Sequence, residues 1–101
     1  KMNFGQSLVQ IMSAMSAIDG NADEKEVAVL LEISKKLGVS GEDFAEGITA
    51  DLGEAVIWIK ENINQEGRTM ALATLAIMAL ADGEEHENEK VLFEACTEAW
   101  A

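Results

Sequence analysis

The sequence predicts an all-α fold, a compact bundle of about six helices in one domain spanning residues 1–101. The chain of 101 residues contains no proline. It is rich in Ala, Leu, Met, Glu and Lys, which lose little conformational freedom in a helix. Apolar residues recur at helical spacing, and no stretch shows the alternation of a strand. A chain of this length has room for one core, so a single domain is expected.

The first two helices are predicted over residues 4–18 and 23–37. The spacing of the apolar residues in the first helix places them on one broad face. They are Leu8, Val9, Ile11, Met12, Met15 and Ile18. The second helix repeats apolar residues at Val27, Leu30, Leu31 and Leu37. Gly38 follows it and suits the left-handed conformation that often ends a helix.

A third and a fourth helix are predicted in the middle of the chain. Ser40 opens a segment that resembles a capping sequence, for a short helix through Ile48. Asp51 is a candidate N-cap for the fourth helix, over residues 52–63. Residues 64–67 are expected to form a turn.

The fifth helix, predicted over residues 68–81, is apolar on almost every side. We therefore expect it to be the central, buried helix of the domain. A membrane span needs about 20 apolar residues, so this helix is too short for direct membrane insertion. The sixth helix, residues 87–100, places Leu92, Cys96 and Ala99 on one side.

The two ends of the chain repeat one pattern at an offset of 63 residues. Residues 11–20 align with residues 74–83, and each segment is an apolar helix that ends in Asp-Gly. An acidic stretch and an amphipathic helix follow in both copies. The repeat halves are residues 4–37 and 68–100, joined by a helical connector at 40–64. Two such helix pairs are expected to pack with pseudo-twofold symmetry, bringing both Asp-Gly turns to one end of the bundle.

Each copy places a glutamate at the same distance from its Asp-Gly turn, which predicts a divalent-metal site. The predicted ligands are Asp19, Glu26, Asp82 and Glu89, with Asp23 and Glu85 as additional candidates. An aspartate at a helix C-terminus opposes the helix dipole, at a cost of about 0.3–1 kcal/mol. A bound cation would compensate this cost in both copies. Carboxylate oxygens favour Ca²⁺ or Mg²⁺, with Zn²⁺ and Mn²⁺ as further alternatives.

A structural role explains either copy taken alone. Asp-Gly is a common turn, and Asp23 with Glu26 fits a capping box. In the second copy His86, a poorer N-cap, takes the position of Asp23, so capping explains Glu89 less well. The first copy is not an EF-hand, because Leu30 stands where the bidentate glutamate belongs. The chain also lacks the Glu-x-x-His pair of a di-iron bundle.

Residues 17–26 and their echo at residues 80–89 resemble the TerB-like family. This family includes the tellurite-resistance protein TerB and a domain attached to some membrane J-domain co-chaperones. The resemblance covers roughly two thirds of the chain. It implies a bundle of short helices with a duplicated core and an acidic metal site, formed by the Asp and Glu of each repeat. It also implies a stress- or defence-linked role without catalysis. One departure is Ile18-Asp19, where the family more often has Ala-Asp.

The charge of the chain restricts its partners. A formal net charge of −12, from 19 acidic and 7 basic residues, repels nucleic acid and anionic lipid. Cations and basic protein surfaces are the natural partners. We expect a protein partner, basic or membrane-associated, and no nucleic acid. A homodimer is compatible with the Ala- and Met-rich helices. A single cysteine and the lack of a signal-peptide pattern predict a cytoplasmic location.

Two functions follow from these observations. The first is a metal-binding accessory domain in which four carboxylates hold a divalent cation and a nearby surface contacts a protein. The alternative is a metal-independent acidic interaction module, with Trp58 or Trp100 as an exposed anchor, although core packing is the more common role for both. An enzyme is not expected, because the single histidine and Cys96 form no recognisable nucleophile–base pair. Cys96 is expected to be a small buried hydrophobe.

Overall fold

The computed structural model describes residues 2–18, 24–80 and 87–101. Within these ranges the chain forms six α-helices and no strand, which confirms the all-α prediction. The helices are α1 (Phe4–Ala17), α2 (Glu24–Lys36), α3 (Gly41–Ile48), α4 (Leu52–Asn62), α5 (Gln65–Ala79) and α6 (Glu87–Ala99). None of them is both long enough and apolar enough to cross a membrane.

Three predicted helix ends are confirmed. Ser40 and Asp51 are N-caps, and each side chain accepts a hydrogen bond from the backbone amide three residues later. Gly38 ends α2 with a φ of 77°, the left-handed conformation that glycine adopts without a Cβ penalty. Short polar residues at these positions satisfy backbone groups that a helix leaves without partners.

The turn predicted at residues 64–67 is wrong. Asn64 is the N-cap of α5, and its side chain accepts a hydrogen bond of 3.0 Å from the backbone amide of Gly67. The helix therefore begins at Gln65, within the predicted turn. Asparagine is as good at starting a helix as at forming a turn, and this cap decides between the two.

The central helix is α1, and the prediction that α5 is central is wrong. The helix α1 contacts all five others that the structure describes, and every side chain from Gln6 to Met12 is buried. On α5, Ile77 is 60% exposed and Leu80, at its C-cap, is 58% exposed. The connector helices α3 and α4 pack chiefly against α1, which leaves the outer face of α5 uncovered.

The hydrophobic core draws on α1, α2, α4, α5 and α6, with Trp100 closing it after the last helix. Its buried members are Leu8, Val9, Ile11, Met12, Met15, Leu30, Ala55, Ile59, Ala71, Leu75, Met78, Leu92, Cys96 and Trp100. The contact between α1 and α3 is partly polar. The Gln10 side-chain amide donates hydrogen bonds of 2.8 Å and 3.1 Å to the carbonyls of Gly47 and Ile48. These bonds satisfy carbonyls at the end of α3.

The bounds of α2 and α6 agree with the offset of the sequence repeat. The helices α2 and α6 are both 13 residues long, and their first and last residues lie the same 63 positions apart. The contacts also correspond: α1 pairs with α2 as α5 pairs with α6, and α1 touches α6 as α5 touches α2. This pairing is the one that a twofold relation of the halves would produce. The pseudo-twofold symmetry itself stays a prediction.

Candidate functional site

The structure describes the side chain of one predicted metal ligand, Glu89. Of the other candidates, Glu26 is described in its backbone only, and four lie outside the described ranges: Asp19, Asp23, Asp82 and Glu85. Among the side chains within those ranges, no three His, Cys, Asp or Glu residues form a group suited to a metal ion. The site that combines both repeats therefore stays a prediction.

Glu89 is buried at the start of α6. It is the third residue of the helix and is only 1% exposed, on the same inner stripe as Leu92 and Cys96. The other glutamates whose side chains the structure describes are all exposed. Burying a carboxylate is costly unless hydrogen bonds or opposite charges compensate it. The structure thus separates Glu89 from the acidic surface and places it inside the protein.

Two physical effects favour a carboxylate at this position of the helix. The N-terminus of a helix carries a partial positive charge, which stabilises an anion in its first turn. A glutamate at the third position can also accept a hydrogen bond from the backbone amide of its N-cap, as in a capping box. Glu26 is the third residue of α2, so the repeated glutamates occupy the same helix position. The internal repeat of the sequence predicts this equivalence but not the burial of Glu89.

Trp100 belongs to the core, so the hypothesis that it is an exposed anchor is wrong. It is 1% exposed, and its indole Nε1 donates a hydrogen bond of 3.0 Å to the carbonyl of Val56 on α4. Arg68 adds a second link, because its guanidinium donates to the carbonyls of Trp100 and Lys60. These bonds join α4, the start of α5 and the end of α6.

Trp58 lies at the surface of α4, partly buried against the core. It lines an open groove of about 350 Å³ together with Met2, Glu54, Ile57 and Glu61. Ile57 is 55% exposed. We call this feature the α4 groove. The sequence motifs do not predict this groove, although Glu54, Trp58 and Glu61 recur at the spacing of one helix face.

Cys96 is buried, as predicted, and its surroundings oppose nucleophilic chemistry. Its side chain is inaccessible, and desolvation by burial raises the pKa of the thiol from 9.0 to about 11. The thiolate is the reactive form of cysteine, so this environment keeps the group inert. The single histidine, His86, lies outside the described residues.

Comparison with known proteins found no matching family model, no similar curated protein and no similar solved structure. The features of this chain that bear on its function are the repeated motif, the buried Glu89 and the α4 groove.

Proposed function

We propose that this chain is a TerB-like, non-catalytic accessory domain that binds a divalent cation and acts through a protein partner in a cytoplasmic stress response. One observation carries the proposal. Glu89, a ligand predicted from the repeat, is 1% exposed at the start of α6, the helix that follows the second Asp-Gly pair in the sequence. This observation supports the metal site, whereas the proposed stress role rests on the resemblance of residues 17–26 and 80–89 to the TerB-like family.

The position of Glu89 supports a cation because it sets a carboxylate inside the protein at the start of α6, in a chain whose net charge is −12. A bound cation converts the repulsion between neighbouring carboxylates into coordination. Asp82 and its counterpart Asp19 are the proposed partners of the glutamates. The all-oxygen ligand set favours Ca²⁺ or Mg²⁺.

A capping box is the competing explanation for the buried Glu89, and a single substitution distinguishes this role from metal binding. Glutamine also serves at the third position of a capping box, but its amide oxygen is neutral, whereas a carboxylate brings charge to a divalent cation. Glu89→Gln should therefore preserve a capping role and weaken metal binding. Glu94→Gln is the matched control, because Glu94 is exposed on the same helix.

The test uses protein stripped with a chelator and titrated with Ca²⁺, Mg²⁺, Mn²⁺ and Zn²⁺, followed by calorimetry and thermal melting. A ligand of the folded state adds about 2.7 kcal/mol of stability at a hundred times its Kd. We expect this gain in the wild type and in Glu94→Gln. We expect at least about tenfold weaker binding, or about 1.4 kcal/mol, in Glu89→Gln and in Asp19→Asn/Asp82→Asn. Absence of a gain with all four ions, or an equal gain in Glu89→Gln, would refute the metal site.

The α4 groove favours a second candidate function, an acidic module that binds a basic protein without metal. Trp58 supplies an aromatic surface there, and Glu54 and Glu61 supply negative charge. Partner binding that persists in chelator and in Glu89→Gln would favour this function over the first.

A further inference from the structure

The α4 groove combines an aromatic surface with two carboxylates on one helix face. One face of α4 carries Glu54, Trp58 and Glu61 at positions i, i+4 and i+7. The tryptophan position therefore lies between the two acidic positions along the helix. The inner part of Trp58 packs against the hydrophobic core. This packing restrains the ring, so little conformational freedom is lost when a ligand stacks on it.

The charges in this groove are uncompensated within the described part of the chain. No lysine or arginine is among the residues that line it. Both glutamates are exposed, and no described residue forms an ion pair with either carboxylate. A cationic group that enters the groove therefore meets two carboxylates and an aromatic face, and it displaces no ion-pair partner from the described part of the chain.

We propose that the α4 groove binds an arginine side chain from a protein partner, stacked on Trp58 between Glu54 and Glu61. An apolar residue next to that arginine would contact the exposed Ile57. The proposal rests on the part of the proposed function that gives this chain a protein partner, and it does not depend on metal. The predicted metal ligands lie on other segments, so the two sites are tested separately.

Arginine fits this groove better than other side chains for three physical reasons. Its planar guanidinium stacks on aromatic faces, most favourably on tryptophan. Its fixed fork of N–H donors matches the geometry of carboxylates. An uncharged side chain would cover Glu54 and Glu61 without offering them charge-assisted hydrogen bonds, which penalises apolar competitors. The groove volume of about 350 Å³ lies near the lower end of the range of about 300–1,000 Å³ for small-ligand sites. It therefore suits one side chain and its neighbour.

The test uses short peptides with a fluorescent label, measured by polarisation with the full chain in chelator. The probe is acetyl-Ala-Leu-Arg-Leu-Ala-amide, and its control replaces the arginine by citrulline, which has a similar shape and no charge. We expect the arginine peptide to bind at least about tenfold more tightly than the citrulline peptide, and more weakly as salt increases. Binding should also change the protein's tryptophan fluorescence, and Trp58→Phe should abolish that change, because Trp100 is buried.

Glu54→Gln/Glu61→Gln should reduce the affinity at least about tenfold. Both residues are exposed, so the fold should tolerate this change. The matched control is Glu94→Gln/Glu98→Gln, which removes the same charge from exposed positions on α6. Equal binding of the citrulline peptide would overturn the proposal. Equal losses in the two double variants would also overturn it, since general attraction to an acidic protein would then explain the binding. Neither result would affect the outcome expected for Glu89→Gln.

Discussion

The Cys96 thiol is enclosed by the core on the inner face of α6, and burial raises its pKa to about 11 from 9.0. The unfolded thiol is half ionised near pH 9, whereas the folded thiol reaches half ionisation only near pH 11. Between these two pH values the unfolded chain binds fewer protons than the folded protein, so unfolding becomes more favourable as the pH rises. The contribution of Cys96 to stability is therefore complete below pH 9 and declines above it.

We predict that the free energy of unfolding of the wild type falls by about 2 kcal/mol more than that of Cys96→Ala between pH 9 and pH 11. The comparison cancels every effect of pH that the two proteins share. Urea unfolding at a series of pH values measures the difference. Stability curves that stay parallel over this interval would contradict a desolvated thiol.

Single residues also show what the sequence could predict about the candidate sites. The repeat identified Glu89, because a motif that occurs twice is visible without a structure. Its burial was not predictable, since solvent exposure depends on which helices cover the start of α6. The exposure of the two tryptophans also depends on which helices cover them. Trp100 is enclosed by α4 and donates a hydrogen bond to the Val56 carbonyl, whereas Trp58 keeps an accessible face.

At the scale of helices, the contact between α1 and α3 depends on a glycine. Gly47 is buried in α3, and a Cβ atom built there would lie 2.8 Å from the backbone oxygen of Gln6 and 2.8 Å from Cβ of Val9. Both distances are shorter than carbon atoms accept, and neither neighbour is the free end of a flexible side chain. A larger residue would therefore force the two helices apart.

We predict that Gly47→Ala destabilises the protein by about 1–3 kcal/mol, the usual cost of overpacking. The control is Gly41→Ala in the same helix, where a Cβ would meet no atom within 4 Å. That substitution should be neutral or stabilising by up to about 1 kcal/mol, because alanine restricts the unfolded chain. Thermal melting of both variants gives the comparison. Equal effects would show that helix propensity, and not the contact with α1, governs Gly47.

Helix boundaries and helix packing differed in how far the sequence predicted them. The caps Ser40 and Asp51 and the terminator Gly38 were predictable, because each acts through hydrogen bonds or backbone geometry within a few residues. The position of α5 in the bundle was not predictable from the sequence. Its apolar composition suggested the centre of the bundle, yet Ile77 is largely exposed. Which helix is enclosed depends on where α3 and α4 pack, and that choice involves contacts far apart in sequence.

At the scale of the whole molecule, the negative charge opposes folding. The structure extends over 31 × 30 × 21 Å, and the Debye length is about 30 Å at 0.01 M salt. Most exposed carboxylates therefore repel one another across the entire molecule at low salt. At 0.15 M salt the Debye length falls to about 8 Å, and only near neighbours still interact.

We predict that raising NaCl from 0.01 M to 0.15 M stabilises the chelator-treated protein by about 1 kcal/mol, which raises Tm by about 4–8 °C. Glu94→Lys/Glu98→Lys lowers the net negative charge and should show a smaller increase. A Tm that stays constant or falls would contradict a destabilising role for the charge. The same measurement separates screening from a specific metal site. Glu89→Gln should respond to NaCl nearly as the wild type does. In 0.15 M NaCl, a dilute divalent cation should further stabilise the wild type but not Glu89→Gln.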